Sequence, residues 1–254
     1  MTLDLAQKQP NWFSRLANPG RFLGWSKALV WPLGIVTALL FAAGLYLALL
    51  DSPPDYQMGE TVRIMYIHVP NAWLSEFIYA IMAIASLGTL VWRHPLADVA
   101  AKSAAPLGAV FTGLALFSGS LWGRPTWGTY WEWDGRMTST LILFLIYLGI
   151  IALWRAFDDP GRAGRVIAVF TLVGALDIPV VKYSVDWWNT LHQPASISLM
   201  GDEHMPPSML IPLLVMTLAF TFLFLTLHLV RMRTEIFRRR AQTLERQAAA
   251  RLAQ

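Results

Sequence analysis

Long apolar runs, separated by short polar segments, dominate the pattern of this chain. A helix needs about 20 apolar residues to cross roughly 30 Å of hydrocarbon. Five runs have that length, at residues 29–50, 72–92, 104–122, 137–154 and 209–230, and a weaker sixth at 166–181 is interrupted by Asp177 and Pro179. The pattern predicts an all-α membrane protein. It is expected to form a single domain over residues 1–254, with a six-transmembrane helix bundle over residues 29–230.

Composition and charge support this class and orient the bundle. Of the 254 residues, 56 % are hydrophobic and 14 % are charged, and the mean hydropathy is +0.46, which is too apolar for a soluble domain. Lys and Arg are concentrated at both chain ends and in the second and fourth connections. Because cytoplasmic segments carry this basic excess, both termini are predicted to be cytoplasmic and the other connections external. The net charge of +4 follows from topology, so no nucleic-acid partner is predicted.

The two chain ends differ from the bundle between them. Residues 1–28 mix aromatic and basic side chains without the small-residue pattern of a cleavage site. They are therefore expected to form an amphipathic helix on the cytoplasmic membrane face rather than a cleaved signal peptide. Residues 231–254 are basic and predict a cytoplasmic helical tail. The absence of cysteine excludes disulfides, thiolate metal sites and thioether attachment of a cofactor to this chain.

The third connection is unusually rich in tryptophan. Residues 122–134 contain four tryptophans and end in an acidic residue: Trp122, Trp127, Trp131, Trp133 and Asp134. Indole is large, flat and apolar apart from one N–H donor, so such a cluster predicts a platform for a broad planar ligand. The alternative is the aromatic belt that many membrane proteins carry at the headgroup level. A belt accounts for one or two of these tryptophans but does not require four.

Two of the five histidines lie at the level of this loop. His68 precedes the second span and His192 precedes the sixth, both at the predicted outer boundary, with Pro70 expected to set the start of the second helix. Haem iron takes one axial nitrogen ligand from each face of a flat apolar macrocycle, so this pair predicts axial ligation of haem. Two unrelated hydrogen-bonded imidazoles are the alternative. His94 and His228 are predicted to be structural, and His204 is a weaker third candidate in a polar turn.

Charged residues near this loop suit the edge of such a ligand. Arg63, Arg124 and Arg136 flank His68 and the tryptophans, and guanidinium groups match the carboxylate geometry of haem propionates. Arg136 is equally consistent with an interfacial anchor. Asp134 would repel a propionate. It is expected either to fix the loop by accepting N–H bonds or to orient a second protein that receives the ligand.

Carboxylates inside the predicted spans leave several roles open. Glu76 follows His68 by about two helical turns and is expected to tune a ligand or to accept a hydrogen bond. Asp177 precedes Lys182 by a little over one turn, so the two side chains either form an ion pair or serve a function.

A short interfacial helix is predicted around residues 185–192, in the last external connection.

The tryptophan pattern and the segments around both histidines resemble a known family. The quoted residues are Trp127-Gly128-x-x-Trp131-x-Trp133-Asp134, Met65-Tyr66-Ile67-His68-Val69-Pro70 and Trp187-Trp188-Asn189-Thr190-Leu191-His192-Gln193-Pro194. They resemble the haem-handling membrane proteins with a WWD loop, and within them the CcmC family, haem exporter protein C of bacterial cytochrome c maturation. The resemblance covers nearly the whole chain except the amphipathic start and the basic tail.

The resemblance implies a function, a ligand and partners. Such a protein holds haem b at the periplasmic face of the inner membrane, with His68 and His192 as axial ligands and Trp127, Trp131, Trp133 and Asp134 as the presenting surface. It implies delivery to the periplasmic haem chaperone CcmE, beside the ABC-type subunits CcmA and CcmB and the small subunit CcmD. A transport role is implied rather than a classical enzyme. The alternatives are a haem lyase acting directly on apocytochrome c, a b-type electron-transfer cytochrome and a passive haem permease.

Overall fold

The chain is described by a computed structural model over residues 18–157, 159–188, 190–192 and 205–252. Seven α-helices make up most of these residues, and the only strand-like pairing among them is an isolated bridge. A π-helical turn at Leu47–Asp51 extends α1, and a 3-10 helix at Glu60–Ile64 leads into α2. The helices are α1 (Pro19–Tyr46), α2 (Met65–Val91), α3 (Ala97–Trp127), α4 (Gly135–Ala156), α5 (Pro160–Gly174), α6 (Asp177–Trp187) and α7 (Pro207–Leu252).

Six helical stretches of the described chain are long and apolar enough to cross a membrane, which confirms the predicted all-α, six-span architecture. The fifth stretch, Gly161–Trp187, consists of α5 and α6 joined by a turn at Ala175 and Leu176. The weak sixth run of the sequence is therefore a broken helix that restarts at Asp177. Large apolar side chains such as Trp31 and Leu39 are exposed on the outside of the bundle, as expected where lipid is the solvent.

The helices are longer than the apolar runs that predict them. α2 begins at Met65, so His68 lies inside a helix and the expectation that Pro70 sets its start is wrong. α3 continues to Trp127, which makes Trp122 and Trp127 helical and leaves only residues 128–134 as a loop. Apolar runs mark only the part of a helix in hydrocarbon, whereas backbone hydrogen bonding continues into the interface. Gly128 ends α3 in the left-handed conformation (φ 80°) that glycine adopts without strain.

The last external connection also differs from expectation. α6 ends at Trp187, Trp188 is extended, and residues 190–192 are not helical, so the predicted short helix at 185–192 is wrong. His204 lies outside the described residues, as does the predicted amphipathic segment up to residue 17. From Pro19 onward that segment is already part of α1. The predicted helical tail is confirmed over residues 231–252, where it continues α7 without a break.

Two tyrosines hold α2, α4 and α5 together in the bundle interior. The Tyr147 hydroxyl donates to the Ser75 carbonyl at 2.8 Å, and the Tyr79 hydroxyl donates to the Thr171 carbonyl at 3.1 Å. Their rings meet edge to face with centroids 5.2 Å apart. Gly108 leaves room for the Tyr147 ring, which a methyl group there would overlap. Because hydrocarbon supplies no hydrogen-bond partners, these pairings fix how the helices carrying the external residues sit.

The start of α1 and the C-terminal part of α7 meet at one end of the bundle. Phe22 and Leu23 near the start of α1 pack against Met232 and Ile236 of α7. Arg233 donates to the Leu23 carbonyl at 2.6 Å, which ties the two helices together. The basic second and fourth connections therefore lie at this end, which we call the basic end, and the tryptophan loop lies at the opposite end.

Candidate functional site

His68 projects from the first turns of α2 against α3. Its Nδ1 lies 3.1 Å from the Ala115 carbonyl oxygen and 3.3 Å from the Ser118 hydroxyl. A carbonyl oxygen only accepts, so Nδ1 is the nitrogen that carries the hydrogen. The Nε2 lone pair of His68 is then available to a metal or a donor.

The close approach of His68 to α3 depends on Gly119. A Cβ atom on Gly119 would lie 2.8 Å from the imidazole Cε1, closer than such atoms pack. The Trp122 ring meets the imidazole edge to face, with centroids 5.8 Å apart. Helix packing and one missing side chain therefore set the position of His68.

His192 is held by a carboxylate instead. Its Nδ1 lies 2.7 Å from Asp134 Oδ2, and the Asp134 side chain is only 3 % exposed. Asp134 is also the N-cap of α4, because its Oδ1 accepts from the Met137 backbone N–H at 2.8 Å. The Thr190 hydroxyl donates to the same Oδ2. Asp134 therefore accepts a backbone N–H bond, as one of its two expected roles requires, and the structure adds His192 to its donors.

The protonation states of this pair follow from burial and hydrogen bonding. Burial alone would raise the pKa of Asp134, but the bonds from Thr190, Met137 and His192 outweigh it and lower the pKa below its ordinary value. Burial lowers the pKa of His192 below 6.5, although Asp134 acts in the opposite direction. At neutral pH a carboxylate therefore faces a neutral imidazole that donates through Nδ1. The Nε2 lone pair of His192 is free, as it is in His68.

The four tryptophans take different positions around the two imidazoles. Trp127 meets His192 edge to face with centroids 4.6 Å apart, whereas Trp122 contacts His68. Trp131 and Trp133 contact each other at 5.3 Å, but Trp131 is partly buried and Trp133 is 73 % exposed. The sequence pattern does not distinguish the four tryptophans, but in the structure three of the rings are partly buried and one is exposed.

The three candidate arginines also differ in their hydrogen-bond partners. Arg63 donates to the Ala48 carbonyl at 2.8 Å and pairs with Glu60, so its guanidinium is engaged in holding the connection between α1 and α2. Arg124 donates to the Gly128 carbonyl and lies over the Tyr130 ring. Arg136 donates to the Lys182 carbonyl at 3.1 Å, and its buried Nε has no hydrogen-bond partner. Arg136 also interacts electrostatically with both imidazoles, so it lies nearest the candidate site.

The chemistry of these side chains fits a flat, anionic metal complex. The two imidazoles are close enough to interact electrostatically, and each keeps Nε2 free. Nearby donors are buried without partners, namely Trp122 Nε1, Trp131 Nε1 and Arg136 Nε, and carboxylate groups of a ligand would satisfy them. Within the described ranges, no group of three or more His, Cys, Asp or Glu side chains could hold a metal ion by itself. Haem needs only two axial ligands from the protein, because its macrocycle supplies the other four nitrogens.

Comparison with known proteins assigns the family. A profile described as "Heme exporter protein C" matches residues 12–247. The chain is 64 % identical over 238 residues to heme exporter protein C of Bradyrhizobium diazoefficiens, covering 94 % of this chain and 90 % of that protein. It is 44 % identical over 217 residues to heme exporter protein C of Escherichia coli K12, covering 85 % and 84 %.

The chain belongs to the heme exporter protein C family. It is also similar to a putative cytochrome c biosynthesis ccmC-like mitochondrial protein of Marchantia polymorpha, 47 % identical over 185 residues that cover 72 % of this chain and 78 % of that protein. The family resemblance drawn from the tryptophan and histidine segments is therefore confirmed.

Several residues that shape the candidate site are not predicted from the sequence. Thr190 donates to Asp134, and Ala115 and Gly119 shape the position of His68. Thr190 stands two residues before His192, which is a weak signal by itself. Ala115 acts through a backbone carbonyl and Gly119 through the lack of a side chain, and neither contribution has a sequence motif.

The ion pair that the sequence allows for an acidic residue inside the spans is not formed. No ion pair joins Asp177 to Lys182 among the residues the structure describes, and Asp177 Oδ2 is buried without a hydrogen-bond partner. Glu76 interacts electrostatically with Lys182 and Arg136 instead. His228 is buried and stacks on Phe224 with centroids 5.3 Å apart, in keeping with the structural role predicted for it.

Proposed function

We propose that this chain binds haem at its tryptophan-rich end, with His68 and His192 as the axial ligands, and passes it on for c-type cytochrome assembly. The observation that carries the proposal is the matched state of the two imidazoles. Each has Nδ1 bound to an oxygen acceptor, which leaves Nε2 as the free lone pair that iron requires. The names of the similar proteins support haem as the cargo.

The residues of the site have different roles in binding haem. Asp134 keeps His192 in the Nδ1–H tautomer and increases the basicity of Nε2, and the Ala115 carbonyl orients His68 in the same way. Trp122 and Trp127 border the two imidazoles and offer apolar faces to the macrocycle. Arg136 supplies positive charge beside both ligands for a propionate, with its unpaired Nε as the donor. Arg63 and Arg124 are engaged elsewhere and act as supports.

We place this end outside the inner membrane and the basic end in the cytoplasm. The excess of Lys and Arg at the basic end supports that orientation. The acceptor proposed for the haem is the periplasmic chaperone CcmE, with CcmA, CcmB and CcmD as the partners in the membrane. Trp133 is 73 % exposed beside the partly buried Trp131, which suits a surface that a docking acceptor covers.

Haem content and haem transfer test the proposal together. The purified protein is loaded with haem, washed, and mixed with the purified chaperone domain, and haem is measured on both proteins. His68→Ala and His192→Ala are each expected to lose most of the retained haem and therefore its transfer. His94→Ala, at the opposite end of the bundle, serves as the matched control and should behave like wild type. Full retention in both ligand variants would refute the assignment.

A further inference from the structure

A cavity lies at the basic end of the bundle, opposite the candidate haem site. It has a volume of about 700 Å³ and lies between the start of α3, the end of α4, the start of α5 and the C-terminal part of α7. Five of its lining residues are cationic and one is acidic: Lys102, Arg155, Arg231, Arg238, Arg246 and Glu235. By formal charge, these lining side chains sum to +4. Its volume is in the range of pockets that hold small ligands.

The single carboxylate is already shared. Glu235 accepts from Lys102 at 3.0 Å, from Arg238 at 2.7 Å and from Arg239 at 2.9 Å. Among the described residues, no carboxylate is hydrogen-bonded to Arg155 or Arg246. Asp159 interacts electrostatically with Arg246 without forming an ion pair with it, so among the described residues both guanidinium groups keep their hydrogen-bond donors available to a ligand.

Two buried donors in the wall point to the same kind of ligand. Ser103 and Trp154 line the cavity, and the Ser103 hydroxyl and Trp154 Nε1 are buried within its wall without a hydrogen-bond partner. An indole N–H only donates, so Trp154 requires an acceptor. Arg231 is fixed beside them, because its Nε donates to the Ser103 carbonyl at 3.0 Å. Donors and cations without acceptors together describe a site for an anion with several oxygens.

The rest of the wall is apolar and favours a lipid as the source of that anion. Pro106, Ile151 and Phe157 line the cavity next to the cations. The cavity lies where the apolar runs of α3, α4 and α7 give way to charged residues, which is the level expected for phospholipid headgroups. Basic pockets between transmembrane helices at this level recognise anionic headgroups.

We propose that this cavity binds the phosphate headgroup of an anionic phospholipid, with Arg155 and Arg246 as contributors of free charge and Ser103 and Trp154 as donors. The proposal is independent of the haem site and stands whichever protein receives the haem. Removing two cations near an anionic headgroup is expected to weaken binding roughly tenfold to thirtyfold.

The test measures thermal unfolding and lipid retention of the detergent-purified full chain. Phosphatidylglycerol is expected to raise Tm and to remain bound in native mass spectra, whereas phosphatidylcholine and inorganic phosphate are not. Arg155→Gln with Arg246→Gln should lose most of the Tm rise and of the bound phosphatidylglycerol. Arg162→Gln with Arg251→Gln removes the same charge from exposed positions outside the cavity and should retain both effects.

Three results would overturn the proposal. Equal stabilisation by phosphatidylcholine would show that headgroup charge is irrelevant, and equal stabilisation by inorganic phosphate would show a free-anion site rather than a lipid site. Equal losses in the two double variants would show only a general effect of net charge. Because Arg155 and Arg246 are exposed, their variant should match wild type in Tm without lipid, which separates lost binding from misfolding.

Discussion

The two proposed haem ligands are oriented by different means. His68 lies in α2, against a backbone carbonyl of α3 and opposite Gly119, where helix packing determines its position. His192 lies in a short non-helical segment, and its partner is the carboxylate of Asp134. A backbone carbonyl moves only if the helix moves, whereas a carboxylate–imidazole pair changes with protonation or docking. One ligand is therefore fixed, and the other is suited to release.

This contrast fits a protein that must hold its cargo and then give it up. A chaperone that approaches the exposed Trp133 would reach the loop that contains Asp134 before it reaches the packed helices. Displacing Asp134 would loosen His192 while His68 stays in place. Substituting the residue that positions each histidine, one at a time, tests this contrast.

The largest effect is expected from Gly119→Ala. The new Cβ would lie 2.8 Å from the His68 imidazole and push the ring out of place between two rigid helices. Haem affinity should fall by about 100-fold, the upper end of what the loss of a ligand's support costs. Gly34→Ala is the control, because a Cβ there meets nothing within 4 Å. Haem titration followed by visible absorption checks it, and equal affinity in both variants would remove Gly119 from the account.

A smaller effect is expected from Asp134→Asn. If the amide oxygen still accepts from Met137, the amide NH2 group takes the place of the oxygen that faces His192, and it donates where the carboxylate accepted. His192 then loses the acceptor that holds its Nδ1–H tautomer and leaves Nε2 free, so haem affinity should fall about tenfold, the lower end of the same range. Glu132→Gln is the matched control, since it removes an exposed carboxylate from the same loop.

The same variant decides between two roles for Asp134. The sequence also allows Asp134 to orient the acceptor protein, and that role predicts normal haem retention with poor transfer to the chaperone. The contact with His192 predicts weaker retention, with transfer reduced in proportion. Measuring both quantities on one preparation separates the roles.

The tryptophans should give effects of a few fold. Trp131→Ala removes a partly buried ring, so it should reduce haem retention by about threefold to tenfold, as expected for one aromatic contact. Trp133→Ala removes the exposed ring and should reduce transfer more than retention. If both variants retain and transfer haem normally, the tryptophans serve only as an interfacial belt.

The smallest effect is expected from pH. Iron binds the neutral imidazole, and burial lowers the pKa of His192 below 6.5. The imidazole is then neutral at pH 7 and becomes protonated only as the pH falls through the lowered pKa. Haem affinity should therefore stay level from pH 8 to about pH 6.5 and fall below that. A haem titration at each pH checks this, and a fall that begins near pH 7.5 would contradict the assigned state of His192.

Sequence reasoning predicts the six spans, the position of the tryptophan loop and the two histidines. These features depend on apolar length and on unusual residue types, which are visible in one dimension. It misses that α3 extends through Trp122 and Trp127. Hydropathy falls and tryptophan becomes frequent over these residues, so the sequence there resembles a loop. It also misses the Asp134–His192 contact, which joins residues of two separate connections at the same end of the bundle. Such pairings depend on how the helices pack.

The central claim is that the imidazoles of both His68 and His192 bind the same haem iron. It is tested most directly by visible and electron paramagnetic resonance spectra of ferric haem bound to wild type and to His192→Ala, before and after addition of imidazole. The account predicts a low-spin bis-imidazole signal in wild type, a high-spin signal in His192→Ala, and recovery of the low-spin signal with imidazole. A low-spin signal in His192→Ala without imidazole would contradict it.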